Sequence, residues 1–487
     1  MATVTLLSLI ERALGFVYRV FLSRTLGAEG VGIYQIALSV VGLLITITAS
    51  GIPITVSRIM IKNNAENGKN SNGSIVFAGI FLSLAISLPI TLLLFLFPDA
   101  FSFIFTDKRC FEVLKIILPG VVITSIYAVI RGYFWGKKRF LTYSLIELFE
   151  EIVMLIFGIA LILNMKNTLD GVKRASYAVL ISYALSFIVA TIFYFIHDGK
   201  VNKPFKLLKP LVASSAPITA MRTTTSLINT LIAIILPARL VLSGMTSQVA
   251  LASFGELSGM SIPLIYIPST LIGSIALVLV PELSENYYKH NNLTLKNNIE
   301  QSIKCSVFIS SLIIPVFLSM GSELGFLLYN NVNAGVYVQN ACIIMFPMSI
   351  TMITTSILNS LNLEKYTLIY YLIGASFLLV CIYFLPKYLS VYSLVLGLLL
   401  SYVTTAVLNL ILIRRTCKIK PNYKRFILVS LLFIIPSSLF GYFLKGVLLK
   451  VLPSFIAILT SSVAVVIFTY LFYRIFNLFN IKVLFKK

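Results

Sequence analysis

Fourteen long apolar segments constrain the fold of this chain more than any other feature of its sequence. A helix that crosses a bilayer needs about 20 mostly apolar residues. In hydrocarbon, backbone groups without hydrogen bonds are very costly, so such segments form helices. The sequence therefore predicts an all-α polytopic membrane protein. Its segments are approximately 3–22, 33–61, 73–97, 111–134, 143–163, 175–196, 211–236, 249–280, 303–328, 337–360, 367–385, 391–413, 426–444 and 454–473.

The charge content and the sequence motifs argue against other classes of protein. Charged residues make up 11% of the 487 residues, whereas soluble proteins contain about 25%. The net charge of +22 comes largely from Lys and Arg in short loops, which is typical of topology signals rather than of a nucleic-acid partner. The sequence has no P-loop, zinc-protease or nucleophile-elbow motif, and its five cysteines are scattered. We expect no enzyme activity, no cofactor and no metal site.

The distribution of Lys and Arg predicts the orientation. With a cytoplasmic N-terminus, the inside segments contain 22 of these residues and the outside segments contain 10. Positive residues concentrate in cytoplasmic loops. We therefore expect a multi-pass protein of the cell membrane with both termini in the cytoplasm.

A faint internal repeat predicts the domain organisation. Residues 118–143 align with 346–371, so that Pro119 meets Pro347 and Lys137 meets Lys365. Chance similarity between apolar helices is the alternative. A parallel repeat of two six-helix lobes places the substrate between them. The expected parts are an N-lobe (1–196, helices 1–6), a cytoplasmic linker (197–210), a C-lobe (211–413, helices 7–12), and helices 13 and 14 with a cytoplasmic tail (414–487).

Arginines within the apolar segments are the strongest functional signal. An arginine at membrane depth costs about 2.5–3.5 kcal/mol on insertion scales, so it normally faces a partner or a watery cavity. Glutamates in the apolar segments could neutralise only those arginines that they meet, and we therefore expect the other arginines to form a cavity for an anion. Arg131 is a more natural interfacial anchor beside Trp135, and Arg58 could equally snorkel to an interface. The arginines are Arg12, Arg19, Arg58, Arg131 and Arg222, and the glutamates are Glu11, Glu147, Glu150, Glu151, Glu256 and Glu323.

Two segments carry a family resemblance. Residues 11–35 read ERALGFVYRVFLSRTLGAEGVGIYQ, and residues 50–58 read SGIPITVSR. With the fourteen segments and the repeat, they resemble the multidrug/oligosaccharidyl-lipid/polysaccharide flippase superfamily. The similarity is to its polysaccharide-transporter branch, which includes the stage V sporulation protein B group and is related to the lipid II flippases.

The resemblance implies a flippase that moves an undecaprenyl-pyrophosphate-linked glycan to the outer leaflet. It also implies that arginines on helices 1, 2 and 8 bind the diphosphate. Arg12 and Arg19 match on helix 1, and Arg58 matches more loosely on helix 2. Helix 8 departs from this pattern because it offers Glu256 and no arginine, and Arg222 on helix 7 could supply the charge. The implied partners are the lipid-linked glycan, membrane lipid and a coupling ion or the membrane potential, and we expect a monomer.

Other functions remain open from the sequence. A cation-coupled multidrug exporter needs a carboxylate within the membrane, for which Glu256 is the first candidate and Glu11 the second. A non-transporting scaffold gives no reason for paired arginines at membrane depth. An ion channel would need a filter-like loop or a ring of charges, and neither is present in the sequence.

The orientation can be tested with single cysteines placed in 98–110 and in 414–425. We expect a membrane-impermeant thiol reagent to label these two loops from opposite sides of the membrane. Labelling of both loops from the same side would contradict the predicted topology.

Overall fold

The computed structural model describes residues 2–66, 71–197, 199–200, 207–289, 291–417 and 423–476. These residues are mostly helical and include no β-strand. The predicted all-α polytopic class is therefore confirmed. Much of the predicted linker, namely 198 and 201–206, lies outside the described residues, as does 477–487 of the predicted tail.

The predicted number of fourteen transmembrane helices is not confirmed. In the described part of the chain, twelve helices are long and apolar enough to cross a membrane. Two predicted segments, 3–22 and 33–61, fall within one such stretch, Thr3–Ala65. The helix over the predicted segment 143–163 is not among the twelve, because it contains three glutamates.

Unit 1, Met1–Gly255, is the first of two compact units. Its described residues form the helices α1 (Ala2–Ala49), α2 (Ile52–Ala65), α3 (Asn72–Leu96), α4 (Asp99–Ser102), α5 (Lys108–Gly136), α6 (Phe140–Ile162), α7 (Thr168–Ile196), α8 (Leu208–Leu242) and α9 (Ser247–Phe254).

Glycine and proline set the interruptions of these helices. Gly27 breaks the regular geometry of α1 with a φ of 69°, a conformation that glycine adopts without the Cβ clash of other residues. Pro53 lies in the first turn of α2, directly after the break that ends α1, where a missing N–H costs nothing. By contrast, α8 continues through Pro217.

The core of unit 1 forms where α5 packs against α1, α2, α3 and α7. Buried hydroxyl groups reinforce this packing: Ser125 on α5 donates to Thr48 on α1 over 2.8 Å. On the other side of α1, the Thr230 hydroxyl of α8 donates to the carbonyl of Ser39 over 2.9 Å. Such hydrogen bonds hold helices together in a medium where apolar surfaces gain little from association.

Unit 2, Glu256–Lys487, is the second compact unit. A π-helical turn, Gly255–Ser261, leads into it from α9. Its described helices are α10 (Ile262–Tyr266), α11 (Ser269–Tyr288), α12 (Asn292–Tyr329), α13 (Val332–Ala341), α14 (Met345–Ser360), α15 (Glu364–Phe384), α16 (Pro386–Leu389), α17 (Tyr392–Cys417), α18 (Lys424–Leu448) and α19 (Ser454–Ile475).

The predicted segment 249–280 is therefore interrupted, at the π-helical turn and again near Pro268. Within unit 2, α12 is central, since it packs against α11, α13, α14, α18 and α19. Lys445 of α18 joins α12 through an ion pair to Glu323 of 2.8 Å.

The two units do not follow the boundary predicted from the repeat. Helices α8 and α9 pack against α1 and belong to unit 1, although the predicted N-lobe ends at 196. Lobes 1–196 and 211–413 were defined by internal similarity rather than by packing. They therefore stay a prediction, as does the cytoplasmic side of both termini.

Close helix packing in unit 2 yields a test of stability. A Cβ added at Gly325 of α12 would lie 2.2 Å from the Cα of Gly335 on α13. Because backbone would have to move, we expect Gly325→Ala to destabilise the protein by about 1–3 kcal/mol. The melting temperature in detergent should fall accordingly.

Gly446→Ala on α18 is the matched control, since a Cβ there would have nothing within 4 Å. This change should leave the melting temperature unchanged or raise it, because alanine favours the helix by up to about 1 kcal/mol. Equal melting of Gly325→Ala and the parent would contradict the close approach of α12 and α13.

Candidate functional site

One face of α6 concentrates acidic and phenolic side chains. Tyr143, Glu147, Glu150 and Glu151 follow a spacing of four, three and one residues. At 3.6 residues per turn, this spacing places all four on the same side of the helix. That side carries three carboxylates within an otherwise apolar segment.

This face of α6 lines a cavity of about 310 Å³ in unit 1. Helices α1, α5, α7 and α8 supply the rest of its wall. The volume is near the lower end of the range for ligand pockets, about 300–1,000 Å³. The charged residues that line it are Glu11, Glu147, Glu150, Glu151, Arg131 and Arg222.

Arg131 connects two walls of the cavity. Its Nη1 donates to the Tyr143 hydroxyl over 3.0 Å, and that hydroxyl donates to a carboxylate oxygen of Glu147. The guanidinium carbon lies 5.2 Å from the centre of the Trp135 ring and 5.7 Å from that of Tyr143. The expected position beside Trp135 is therefore observed, but Arg131 is also a cavity residue rather than only an anchor.

Five buried polar atoms of residues that line the cavity have no hydrogen-bond partner within the described residues. They are Oε2 of Glu150, Oε2 of Glu151, Nε of Arg131 and the hydroxyls of Ser50 and Tyr127. A buried polar group without a partner costs about 1–3 kcal/mol. Their grouping around one cavity indicates a site that a polar ligand completes.

The predicted site residues are distributed unevenly around this cavity. Arg222 lines it. Arg12 and Arg19 lie on the first part of α1 and Arg58 lies on α2, and none of the three lines it. The side chains of Arg12 and Arg58 are exposed and that of Arg19 is half-buried.

Glu256, the remaining predicted residue, lies in unit 2. It is 7% exposed and accepts hydrogen bonds from the side-chain amides of Asn331 (3.0 Å) and Asn333 (3.3 Å). These contacts orient its carboxylate against the start of α13. A role for Glu256 in binding substrate stays a prediction.

The acidic character of the cavity differs from the expected anion site. The sequence does not show which arginines of the apolar segments a glutamate meets, and we expected the arginines left unpaired to bind an anion. Only the fold shows that four glutamates and two arginines face one space. The three glutamates of α6, spaced i, i+3 and i+4, were the available signal, because such spacing places charges together on one helix face.

A second polar cluster of unit 1 lies at the start of α5. Arg109 pairs with Glu29 of α1 (2.7 Å) and with Asp107 (2.8 Å), and Asp107 accepts a hydrogen bond from Ser247 of α9 over 3.1 Å. Burial raises the pKa of Asp107, but hydrogen bonds from Arg109 outweigh burial and lower it below its usual range. The cluster holds α1, α5 and α9 together.

Comparisons with known proteins identify the family. Residues 1–287 match the model of the polysaccharide biosynthesis protein family. Stage V sporulation protein B of Bacillus subtilis is 25% identical over 386 residues, which are 75% of this chain and 73% of that protein. The lipid II flippase MurJ of Bacillus subtilis is 22% identical over 473 residues, 91% of this chain and 86% of that protein.

The fold comparison agrees with the sequence comparison. A solved structure of lipid II flippase MurJ in an inward closed conformation superposes with a TM-score of 0.71 at 16% identity, covering 97% of this chain and 99% of that one. The predicted resemblance to the stage V sporulation protein B group and to the lipid II flippases is thereby confirmed. The chain belongs to the polysaccharide biosynthesis protein family, and it shares its fold with solved transporters of the multidrug/oligosaccharidyl-lipid/polysaccharide flippase superfamily.

Proposed function

We propose that the protein is a flippase for a polyprenyl-pyrophosphate-linked glycan, either a peptidoglycan precursor or a related polysaccharide unit. It would move the headgroup from the inner to the outer leaflet by alternating access. The observation that carries this proposal is the polar cavity in unit 1, which contains Arg131 and Arg222 among helices built to cross a bilayer. The similarity to a lipid II flippase along most of the chain supports the same substrate class.

The chemistry of a diphosphate explains the need for arginines. A bare ion that enters hydrocarbon meets a solvation cost of tens of kcal/mol. Guanidinium groups replace lost water with charge-assisted hydrogen bonds that are often bidentate. The polyprenyl tail stays in lipid while the headgroup passes through the protein.

Arg12 and Arg19 are proposed to bind the diphosphate first. They are seven residues apart on α1 before its break at Gly27, which places them on one face and about 10 Å apart along the axis. Arg58 and Arg222 are proposed as further phosphate contacts, and Glu256 as a substrate contact from unit 2. The diphosphate would pass from one arginine to the other, and neither arginine alone would bind it too tightly for release.

The membrane potential is a sufficient driving force in principle. An inside-negative potential favours outward movement of an anion by about 2.3 kcal/mol per charge per 100 mV. Transport would then need either this potential or a coupling ion. The protein would act as a monomer in the cell membrane.

Substitution of the α1 arginines tests the proposal. In proteoliposomes that contain lipid II, we expect Arg12→Ala and Arg19→Ala each to slow flipping by about 10-fold or more, because each removes charge-assisted hydrogen bonds. Lysine substitutions should restore flipping only in part, since ammonium lacks the planar fork of guanidinium. The readout is the fraction of lipid II accessible in the outer leaflet over time.

Arg139→Ala is the matched control. Arg139 is an exposed arginine immediately before α6 and outside the cavity, and its loss removes the same charge. Parental flipping rates in both α1 alanine variants would contradict a role for these arginines. Absence of flipping by the parent protein would contradict the proposed substrate.

The carboxylates of the cavity favour one other function, a cation-coupled multidrug exporter. Such an exporter uses a carboxylate within the membrane to bind a coupling ion or a cationic drug, and four glutamates line this cavity. Proteoliposomes with an imposed proton gradient separate the two functions. Gradient-driven efflux of a cationic dye, without movement of lipid II, would favour the exporter.

A further inference from the structure

The balance of charge in the unit 1 cavity is not what a site for an anion alone requires. Four glutamates and two arginines line it, so carboxylates outnumber guanidinium groups by two. No lysine is among the described residues that line it. A surplus of carboxylates in a space of low dielectric calls for a positively charged ligand.

The carboxylates of the cavity differ in the hydrogen bonds that they already accept. Glu147 accepts a hydrogen bond from Tyr143, which also receives one from Arg131. Glu150 and Glu151 each have one buried oxygen without a hydrogen-bond partner within the described part of the chain. These two residues are therefore available to accept hydrogen bonds from a ligand.

Every helix packed around these carboxylates presents a group to the same space. From α1, Glu11 lines the cavity and Gly15 approaches Glu151, because a Cβ on Gly15 would lie 3.7 Å from both of its carboxylate oxygens. From α5 come Tyr127 and Arg131.

Tyr183 of α7 and Arg222 of α8 complete the lining of the cavity. Together with Tyr127 and Tyr143, Tyr183 gives the cavity three phenol rings. Aromatic rings beside carboxylates form a setting that attracts organic ammonium groups through their π-electrons.

Tyr127 provides an independent sign of a ligand. Its side chain is 8% exposed, it lines the cavity, and its hydroxyl has no hydrogen-bond partner within the described residues. A buried phenol normally has a partner. A ligand bound between Tyr127 and α6 would supply it.

We propose that this cavity binds a primary ammonium group carried by the glycan headgroup, with Glu150, Glu151 and the Tyr127 hydroxyl as its acceptors. An ammonium group offers three N–H donors, which these three acceptors match in number. This assignment rests on the proposed flippase function and narrows its substrate to lipid-linked glycans that bear a free amine. Arg131 and Arg222 then face the negatively charged part of the same headgroup.

Two other cations fit the cavity less well. A bound proton needs no space, whereas the cavity has a volume of about 310 Å³. A metal ion prefers several ligands at once, and the described residues contain no group of three His, Cys, Asp or Glu side chains arranged to hold one.

A pair of lipid substrates tests the proposal with the full-length protein in phosphatidylglycerol and phosphatidylethanolamine vesicles. One probe is an undecaprenyl-pyrophosphate-linked disaccharide-peptide with a free lysine ε-amine, and the other is the same lipid with that amine acetylated. We expect the parent to flip the free-amine lipid about 10-fold faster, as the loss of hydrogen bonds to a charged group implies. Glu150→Gln should bring the ratio of the two rates close to 1.

Controls distinguish recognition from folding. Glu112→Gln removes a half-exposed glutamate that pairs with Lys173 outside the cavity, so the parental ratio should persist. If Glu150→Gln does not purify as a monodisperse protein, Tyr127→Phe takes its place, because it removes only the unpartnered hydroxyl. The ratio should then fall about threefold, as loss of one hydrogen bond implies.

The possible outcomes separate this inference from the proposed function. Equal flipping of both probes by the parent would overturn ammonium recognition and leave the flippase function standing. Equal slowing of both probes by Glu150→Gln, with rates that follow an imposed pH gradient, would assign the carboxylates to a proton and would also overturn it. Movement of neither probe would reject the flippase function and the inference with it.

Discussion

The cost of exposing polar groups to hydrocarbon governs this structure. A bilayer core provides no water for a peptide group, so the described chain satisfies its backbone hydrogen bonds within helices. The same cost applies to side chains, and ionisable residues at membrane depth gather where they can face one another or water. In unit 1 this requirement places α6 with its acidic face against α1, α5 and α7, where Arg131 and Tyr143 bridge the walls.

The cavity combines two kinds of polar group, which match the two charges of the proposed headgroup. Guanidinium groups of Arg131 and Arg222 suit phosphate oxygens, whereas the unpartnered oxygens of Glu150 and Glu151 suit hydrogen-bond donors. Because charges of both signs share one space, each moderates the cost of burying the other when the site is empty. A headgroup with both charges would supply hydrogen bonds to the atoms that lack them.

Small side chains and helix interruptions shape the packing of the helices. Gly158 on α6 leaves room for the ring of Tyr18, since a Cβ there would lie 2.4 Å from the Tyr18 hydroxyl oxygen. The breaks near Gly27, Pro53 and Pro268 divide long apolar stretches into shorter helices. Such breaks free backbone groups that only protein or water can satisfy. They are the places where helices of a transporter can change direction.

The sequence by itself determined the all-α polytopic class, because apolar length and the absence of water leave no other backbone structure. It also determined the resemblance to the polysaccharide-transporter branch, since local motifs are properties of adjacent residues. The count of fourteen helices stays a prediction, because two predicted segments lie in one helical stretch that bends at Gly27 and three glutamates make α6 less apolar than its neighbours. Only the tertiary structure decided which charges meet. Arg222 shares a cavity with glutamates 71 to 75 residues away along the chain. Arg12 does not line that cavity, although it is one residue from Glu11, which does. The reason is that packing between distant segments decides which face of each helix lines the cavity.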